Sequence, residues 1–99
     1  MKKTVSEQDI QKLVEANDSV RGTSDYMKYH MMIEYKTKHN GKWSSWKFLS
    51  WGVPIPFDMI VKKVGKNIFL MREGLSAMGE EEITRYTLTE SANTILNII

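Results

Sequence analysis

The longest alternating run in this chain reads DYMKYHMMIEYKTKHNGKWSSWKFLSWG, from Asp25 to Gly52. The pair Asn40-Gly41 lies near its middle. A two-residue type I′ turn needs positive φ at both central positions, and Asn and Gly adopt that conformation at the lowest cost. The run therefore predicts one long β-hairpin folded about Asn40-Gly41.

The turn also predicts a register for this hairpin. With His39 opposite Lys42, counting outward sets Glu34 opposite Lys47, an acid against a base, which stabilises neighbouring strands. The same count pairs Lys38 with Trp43, Tyr35 with Trp46, Ile33 with Phe48, Met32 with Leu49 and His30 with Trp51. Because side chains alternate across a strand, the register predicts two faces. The core face carries Tyr29, Met31, Ile33, Tyr35, Trp46 and Phe48, and the outer face carries His30, Met32, Glu34, Lys36, Lys38, Trp43, Lys47, Leu49 and Trp51.

Two amphipathic segments flank the strands. Ser6 is a suitable N-cap with Asp9 at the third helical position. Apolar spacing then predicts a short helix with Ile10, Leu13, Val14 and Asn17 on one face, ending before Gly22. Thr87 or Thr89 caps a second helix, which has Ala92, Ile95, Leu96 and Ile99 on one face.

Turn residues divide the segment between the long hairpin and the last helix. Residues Val53 to Phe57 contain two prolines, so we expect them to cross between hairpins or to run along a sheet edge, with Ile55 and Phe57 closing one end of the core. The alternative is an exposed apolar loop that contacts a partner. A second hairpin is predicted from 59–64 and 68–73, and a turn at Gly79-Glu80 leads to a strand over 82–88. The predicted fold is α+β: an antiparallel sheet of four or five strands in two or three hairpins, with the N-terminal and C-terminal helices packed on one face as a second layer.

Composition places the chain among ordinary globular proteins. Its 99 residues fit a single domain over 1–99, and 41% hydrophobic with 26% charged residues indicates neither disorder nor a membrane protein. The polar run Ser6-Glu7-Gln8-Asp9 stands where the apolar core of a signal peptide would be required. Because the chain also has no cysteine, we expect a cytoplasmic protein.

Catalytic chemistry has little support in the sequence. The only histidines, His30 and His39, are nine residues apart on one predicted strand, about 30 Å, and on opposite faces. The run Glu80-Glu81-Glu82 lacks the ligand spacing of a calcium loop and is typical of a solvated turn. We therefore expect a protein that is not an enzyme and uses no cofactor or metal.

Protein binding is the function that the outer face favours. Met32, Leu49 and Trp51 form its apolar part, and Trp is among the residues that most often anchor interfaces. The alternative is that these three side chains pack beneath residues 54–57. The predicted partner is another protein, with a homodimer as a further expectation. In size and lysine content, and in its lack of catalytic groups, the chain is similar to small regulators and inhibitors encoded by phages and mobile elements.

Binding of single-stranded nucleic acid is the alternative function. Four lysines and no acid lie between Lys36 and Lys47, although the net charge of the whole chain is only +2. Lysines can contact phosphates, and an aromatic ring can stack on an unpaired base. The candidate residues are Lys36, Lys38, His39, Lys42, Trp43 and Lys47. A lysine-rich hairpin tip can also simply be solvated and protect a sheet edge from aggregation.

Overall fold

The computed structural model describes residues 3–98, which form seven strands and two helices. In chain order they are β1 (Thr4–Val5), α1 (Glu7–Ser19), β2 (Met31–His39), β3 (Lys42–Trp43), β4 (Lys47–Gly52), β5 (Met59–Val64), β6 (Asn67–Leu75), β7 (Glu81–Thr87) and α2 (Glu90–Leu96). No helix in residues 3–98 has the length and apolar character needed to cross a bilayer.

The strands form one open antiparallel sheet in the order β1-β5-β6-β7-β2-β3, and β4 also pairs with β2. The α+β class is therefore confirmed, but the count of four or five strands is wrong because the sheet has seven. Two short strands account for the difference. β1 has only two residues, too few to show alternation, and the second arm of the long hairpin is divided into β3 and β4.

Both helices pack on the same side of the sheet and contact each other. Ser6 caps α1 as predicted, since its hydroxyl accepts from the Asp9 amide while Asp9 accepts from the Ser6 amide. Thr89, one of the two candidates, caps α2. The shared core is composed of Val5, Ile10, Leu13, Met31, Ile33, Met59, Val61, Leu70, Tyr86, Leu88, Ala92, Leu96 and Ile98. Ile99, which we also assigned to the apolar face of α2, lies outside the described residues.

The hairpin turn is confirmed in both position and conformation. Asn40 and Gly41 have φ of 51° and 75°, the left-handed values that a type I′ turn requires. Next to the turn, His39 lies opposite Lys42 and Lys38 opposite Trp43, as predicted.

Beyond Trp43 the predicted register is wrong, and Ser44 is the first cause. The Thr37 amide donates to the hydroxyl of Ser44 at 3.2 Å, while the Ser44 amide donates to the Thr37 carbonyl at 2.8 Å. A side chain thus takes the place of a backbone acceptor, and pairing resumes one residue later. Tyr35 consequently faces Lys47, and Glu34 faces Phe48.

A β-bulge at Leu49 shifts the register by a second residue. Glu34 pairs with Phe48 but Ile33 pairs with Ser50, which leaves Leu49 without an opposite residue on β2. The two shifts overturn part of the face assignment. Phe48 leaves the core face and is 53% exposed, whereas Met31 and Ile33 are buried as predicted.

Two segments next to the hairpin also differ from prediction. Residues 25–29 form consecutive turns, so the first arm begins only at Met31. Ile55 and Phe57 are 60% and 44% exposed, so they do not close the core. Pro54 is the fully buried side chain of this segment.

The turn geometry gives a stability prediction. Replacing Gly41 by Val should destabilise the protein by about 1–3 kcal/mol, since a β-branched residue adopts a left-handed conformation only with strain. A Cβ at this position would contact nothing within 4 Å, so the cost would come from the backbone alone. Urea denaturation measures the change. The neighbouring exposed substitution Lys42→Ala should have little effect, and equal effects would contradict the assigned turn.

Candidate functional site

Within residues 3–98, one face of the sheet carries no helix, and we call it the outer face. The strand registers assign alternate residues of five neighbouring strands to it. They are Phe48 and Trp51 on β4; Met32, Glu34, Lys36 and Lys38 on β2; Glu81, Ile83, Arg85 and Thr87 on β7; Phe69, Met71, Glu73 and Leu75 on β6; and Ile60 and Lys62 on β5. Trp43 on β3 extends it at the hairpin tip.

An apolar patch lies at the β4 edge of the outer face. The rings of Phe48 and Trp51 meet edge to face, with centroids 6.2 Å apart and planes at 83°. Trp51 is opposite Met32, and its exposed fraction is 59%. The bulge at Leu49 puts both rings on one face, because residues three apart on a regular strand would point to opposite sides.

Two of the predicted protein-binding residues, Met32 and Trp51, are direct cross-strand neighbours in this patch. The third, Leu49, is the bulged residue between Phe48 and Ser50 and is 58% exposed. Because Leu49 and Trp51 both stay largely in solvent, the alternative in which residues 54–57 cover the three side chains is wrong.

A network of cations and aromatic rings fills the centre of the outer face. The Arg85 guanidinium lies 4.0 Å from the ring centroid of Trp46 and 4.7 Å from that of Phe69. Its Nε donates to Oε1 of Glu34 at 2.9 Å, and the two side chains are only 22% and 15% exposed. The Arg85 charge is therefore held in a partly desolvated position by one carboxylate and two rings.

Lys36 lies next to this network without a carboxylate of its own among residues 3–98. Its ammonium is 4.8 Å from the ring centroid of Trp46 and 5.3 Å from that of Trp43. Trp46, which we assigned to the core face, thus contacts the outer-face cations Lys36 and Arg85. The cause is again the interruption of the strand at Ser44.

The six predicted nucleic-acid residues do not form one surface. Lys36, Lys38 and Trp43 lie together on the outer face, with Lys38 6.0 Å from the Trp43 ring centroid. Lys42 and Lys47 pair with His39 and Tyr35, and so belong to the opposite face by register. The predicted pair of Glu34 with Lys47 is replaced by the pair of Glu34 with Arg85.

The hairpin tip is also less basic than the sequence indicates. The turn before β7 brings its acidic run beside the tip, so that Glu80 lies 2.6 Å from Nδ1 of His39. Lys38 and Glu81 form a second pair at 3.4 Å. Two of the predicted phosphate contacts are therefore opposed by carboxylates that are distant in sequence.

Tyr86 lies on the helix side of the sheet, in the core. Burial raises the pKa of the Tyr86 hydroxyl above its ordinary value of 10.0, against the smaller lowering effect of the Arg72 cation. Tyr86 therefore stays protonated at neutral pH. His30 stacks near Tyr26, with centroids 5.1 Å apart, while His39 pairs with Glu80. In residues 3–98, no group of three or more His, Asp or Glu side chains could hold a metal ion.

Among the residues of the aromatic and cationic network, the sequence analysis assigned Trp46 and Phe48 to the core face and did not assign Phe69 and Arg85 to the outer face. For Arg85 a signal was available, because Ile83, Arg85 and Thr87 alternate with Thr84 and Tyr86 along β7. Trp46 and Phe48 could not be assigned without the two register shifts.

Comparisons of the chain with protein-family models, with curated proteins and with solved structures find no match. The functional argument therefore depends on the outer face itself.

The partly buried ion pair gives a second prediction. Changing Glu34 to Gln keeps its shape but removes its charge, and should cost about 1–3 kcal/mol, as expected for a hydrogen bond between charged groups. Glu81→Gln is the matched control, because the Lys38 and Glu81 side chains are 36% and 62% exposed. Such an exposed pair is worth about 0–1 kcal/mol. Equal costs in thermal denaturation would contradict the difference in burial.

The reassigned face gives a third prediction. Phe48→Ala should cost about 1 kcal/mol or less, since it removes mainly one aromatic contact. Met31→Ala, at a fully buried position on β2, should cost about 2–5 kcal/mol. If both substitutions destabilise equally in urea titrations, Phe48 belongs to the core and the observed register is contradicted.

Proposed function

We propose that the protein is a non-enzymatic binding protein that acts through protein–protein contacts on its outer face. The observation that carries this proposal is the exposure of Phe48 and Trp51, at 53% and 59%, beside each other on a sheet face that no helix covers. Adjacent exposed apolar side chains are typical of surfaces that bind another molecule. Trp is also enriched among the residues that contribute most to interface affinity.

The surroundings of this patch support the same function. Central charges of the outer face are already paired, Arg85 with Glu34 and Lys38 with Glu81. A protein partner can cover paired charges at lower cost than isolated ones, because each ion keeps its counter-ion when water leaves. The Leu49 bulge also disrupts the free edge of β4, which favours contact through the face over addition of a strand at that edge.

Nucleic-acid binding has less support. Glu80 and Glu81 lie beside the basic tip and would repel phosphates. The ring of Trp43, the residue predicted to stack on a base, already has the ammonium groups of Lys36 and Lys38 at 5.3 Å and 6.0 Å from its centroid, and a base would have to compete with them.

A photo-crosslinking experiment tests the proposal. Replacing Phe48 by the photoreactive amino acid p-benzoylphenylalanine keeps an aromatic ring at the patch, so irradiation should yield a protein adduct. The matched control places the same group at Gln11, which is exposed on α1 in the helix layer. Adding Trp51→Ala should abolish the Phe48 adduct, because loss of an interface anchor costs about 2 kcal/mol or more of binding free energy. No adduct, or equal adducts from both positions, would contradict the proposal.

An oligonucleotide titration separates the alternative. Single-strand binding would weaken with salt, with a slope of about −0.7 per phosphate neutralised. It would also depend on Trp43 and not on Trp51. We expect no such binding, and detection of it at low salt would replace protein binding as the best-supported function.

A further inference from the structure

We infer that the partner of the outer face is a second copy of this chain, packed face to face about a two-fold axis that runs over β7 and approximately along it. This inference rests on the proposed function and specifies its partner. The resulting dimer has four layers, with the two sheets inside and the two pairs of helices outside.

The strand order provides the symmetry. The outer face is formed by β4, β2, β7, β6 and β5 in that order, so β7 lies in the middle with two strands on each side. We call a set of residues that are paired side by side across neighbouring strands a cross-strand row. Rotation about a two-fold axis along β7 leaves each row at the same height along the strands but reverses its left-to-right order. A residue one or two strands from β7 therefore meets the residue equally far on the other side of the second copy.

One pair of opposite charges meets one strand from the axis. The other charges of β2, Glu34 and Lys38, meet Met71 and Leu75 and keep their ion pairs within their own chain. Lys36 and Glu73 both lie opposite Ile83, on the two sides of β7. Within residues 3–98 neither side chain has an ion-pair partner. Across the axis, Lys36 of each copy meets Glu73 of the other, so that one dimer contains two such pairs.

A groove on the outer face has room for this contact. It has a volume of about 310 Å³ and is lined by Trp43, Glu73, Leu75, Glu81 and Ile83, among others. The stem of the incoming Lys36 can lie on Ile83 while its ammonium reaches Glu73, the arrangement that long cationic side chains adopt on apolar surfaces.

The rows two strands from the axis are complementary as well. Phe48 shares a row with Ile60, and Trp51 shares the next alternate row with Lys62. The axis therefore brings Phe48 onto Ile60 and Trp51 onto Lys62, an apolar contact and a cation–π contact. On the axis itself, Arg85 and Glu81 meet their own copies, but each already has a counter-ion in its own chain.

Sheet twist and interface size are compatible with this arrangement. Packed sheets cross at about 30°, so β7 of each copy is inclined by about 15° to the axis. This inclination displaces facing residues by roughly 2–3 Å one strand from the axis and by roughly 5 Å two strands away. The contact between Lys36 and Glu73, one strand from the axis, is therefore displaced least.

The outer face is large enough for a specific interface. Five strands spaced about 4.8 Å apart, each about eight residues long with a rise of about 3.3 Å per residue, cover a flat area on the order of 600 Å² per copy. Two copies bury roughly 1,200 Å², above the roughly 1,000 Å² that a specific interface needs.

A charge-exchange experiment tests the inference. Sedimentation of the wild-type chain should show a dimer at about 100 µM, and Lys36→Glu or Glu73→Lys alone should weaken it at least about tenfold, because like charges then meet twice. Mixing the two variants should restore a dimer, since both pairs become complementary in the heterodimer. Lys63→Glu, at an exposed position whose register assigns it to the opposite face, is the matched control and should leave the dimer unchanged.

Three results would overturn the inference. They are a monomeric wild-type chain at about 100 µM, a dimer unaffected by either variant, or a mixture of the two variants that stays monomeric although melting curves show both folded. The proposed function is judged separately. A monomeric chain that still crosslinks to another protein from position 48 would retain it, whereas the absence of any adduct would remove both.

Discussion

The outer face depends on one hydrogen bond in the strand ladder. The Ser44 hydroxyl, in place of a backbone carbonyl, accepts a hydrogen bond from the Thr37 amide. This contact breaks the second arm of the long hairpin into β3 and β4 and advances the pairing by one residue. Since side chains alternate with a period of two, one step transfers every following side chain to the other face. Phe48 thereby leaves the core, and the bulge at Leu49 then keeps Trp51 on the same side.

These irregularities explain which parts of the structure could be predicted from sequence. The Asn40-Gly41 turn and the Ser6 cap were predictable because each depends on the local chemistry of two or three residues. The buried positions Ile10, Leu13, Met31 and Ile33 followed from periodicity. Register away from the turn did not, because a serine hydroxyl can replace a backbone acceptor at many positions and nothing local indicates where it will. The strand count failed for the same reason, and because β1 is too short to show alternation.

The candidate site was predictable only where it did not depend on contacts distant in sequence. Met32 and Trp51 were both assigned to the correct face. For Trp51 this holds because two successive one-residue shifts return a side chain to its original face. The basic tip was misjudged because Glu80 and Glu81 lie some forty residues further along the chain than His39 and Lys38. Charge counted along the sequence therefore overstated the positive charge of the folded surface. Arg85 likewise joined the site through the pairing of β2 with β7, which no turn signal connects.

The outer face combines exposed aromatic rings with charges that are already paired. Arg85 and Glu34 keep the centre of the face polar enough to be hydrated in a free chain, yet their mutual hydrogen bond limits the cost of removing that water when a partner arrives. Lys36 contributes differently, because its ammonium lies over Trp43 and Trp46 and partly covers both rings. Within residues 3–98, Lys36 and Glu73 are two outer-face charges without an ion-pair partner, and they lie symmetrically about β7. In the proposed dimer, this symmetry favours one specific partner over indiscriminate apolar association.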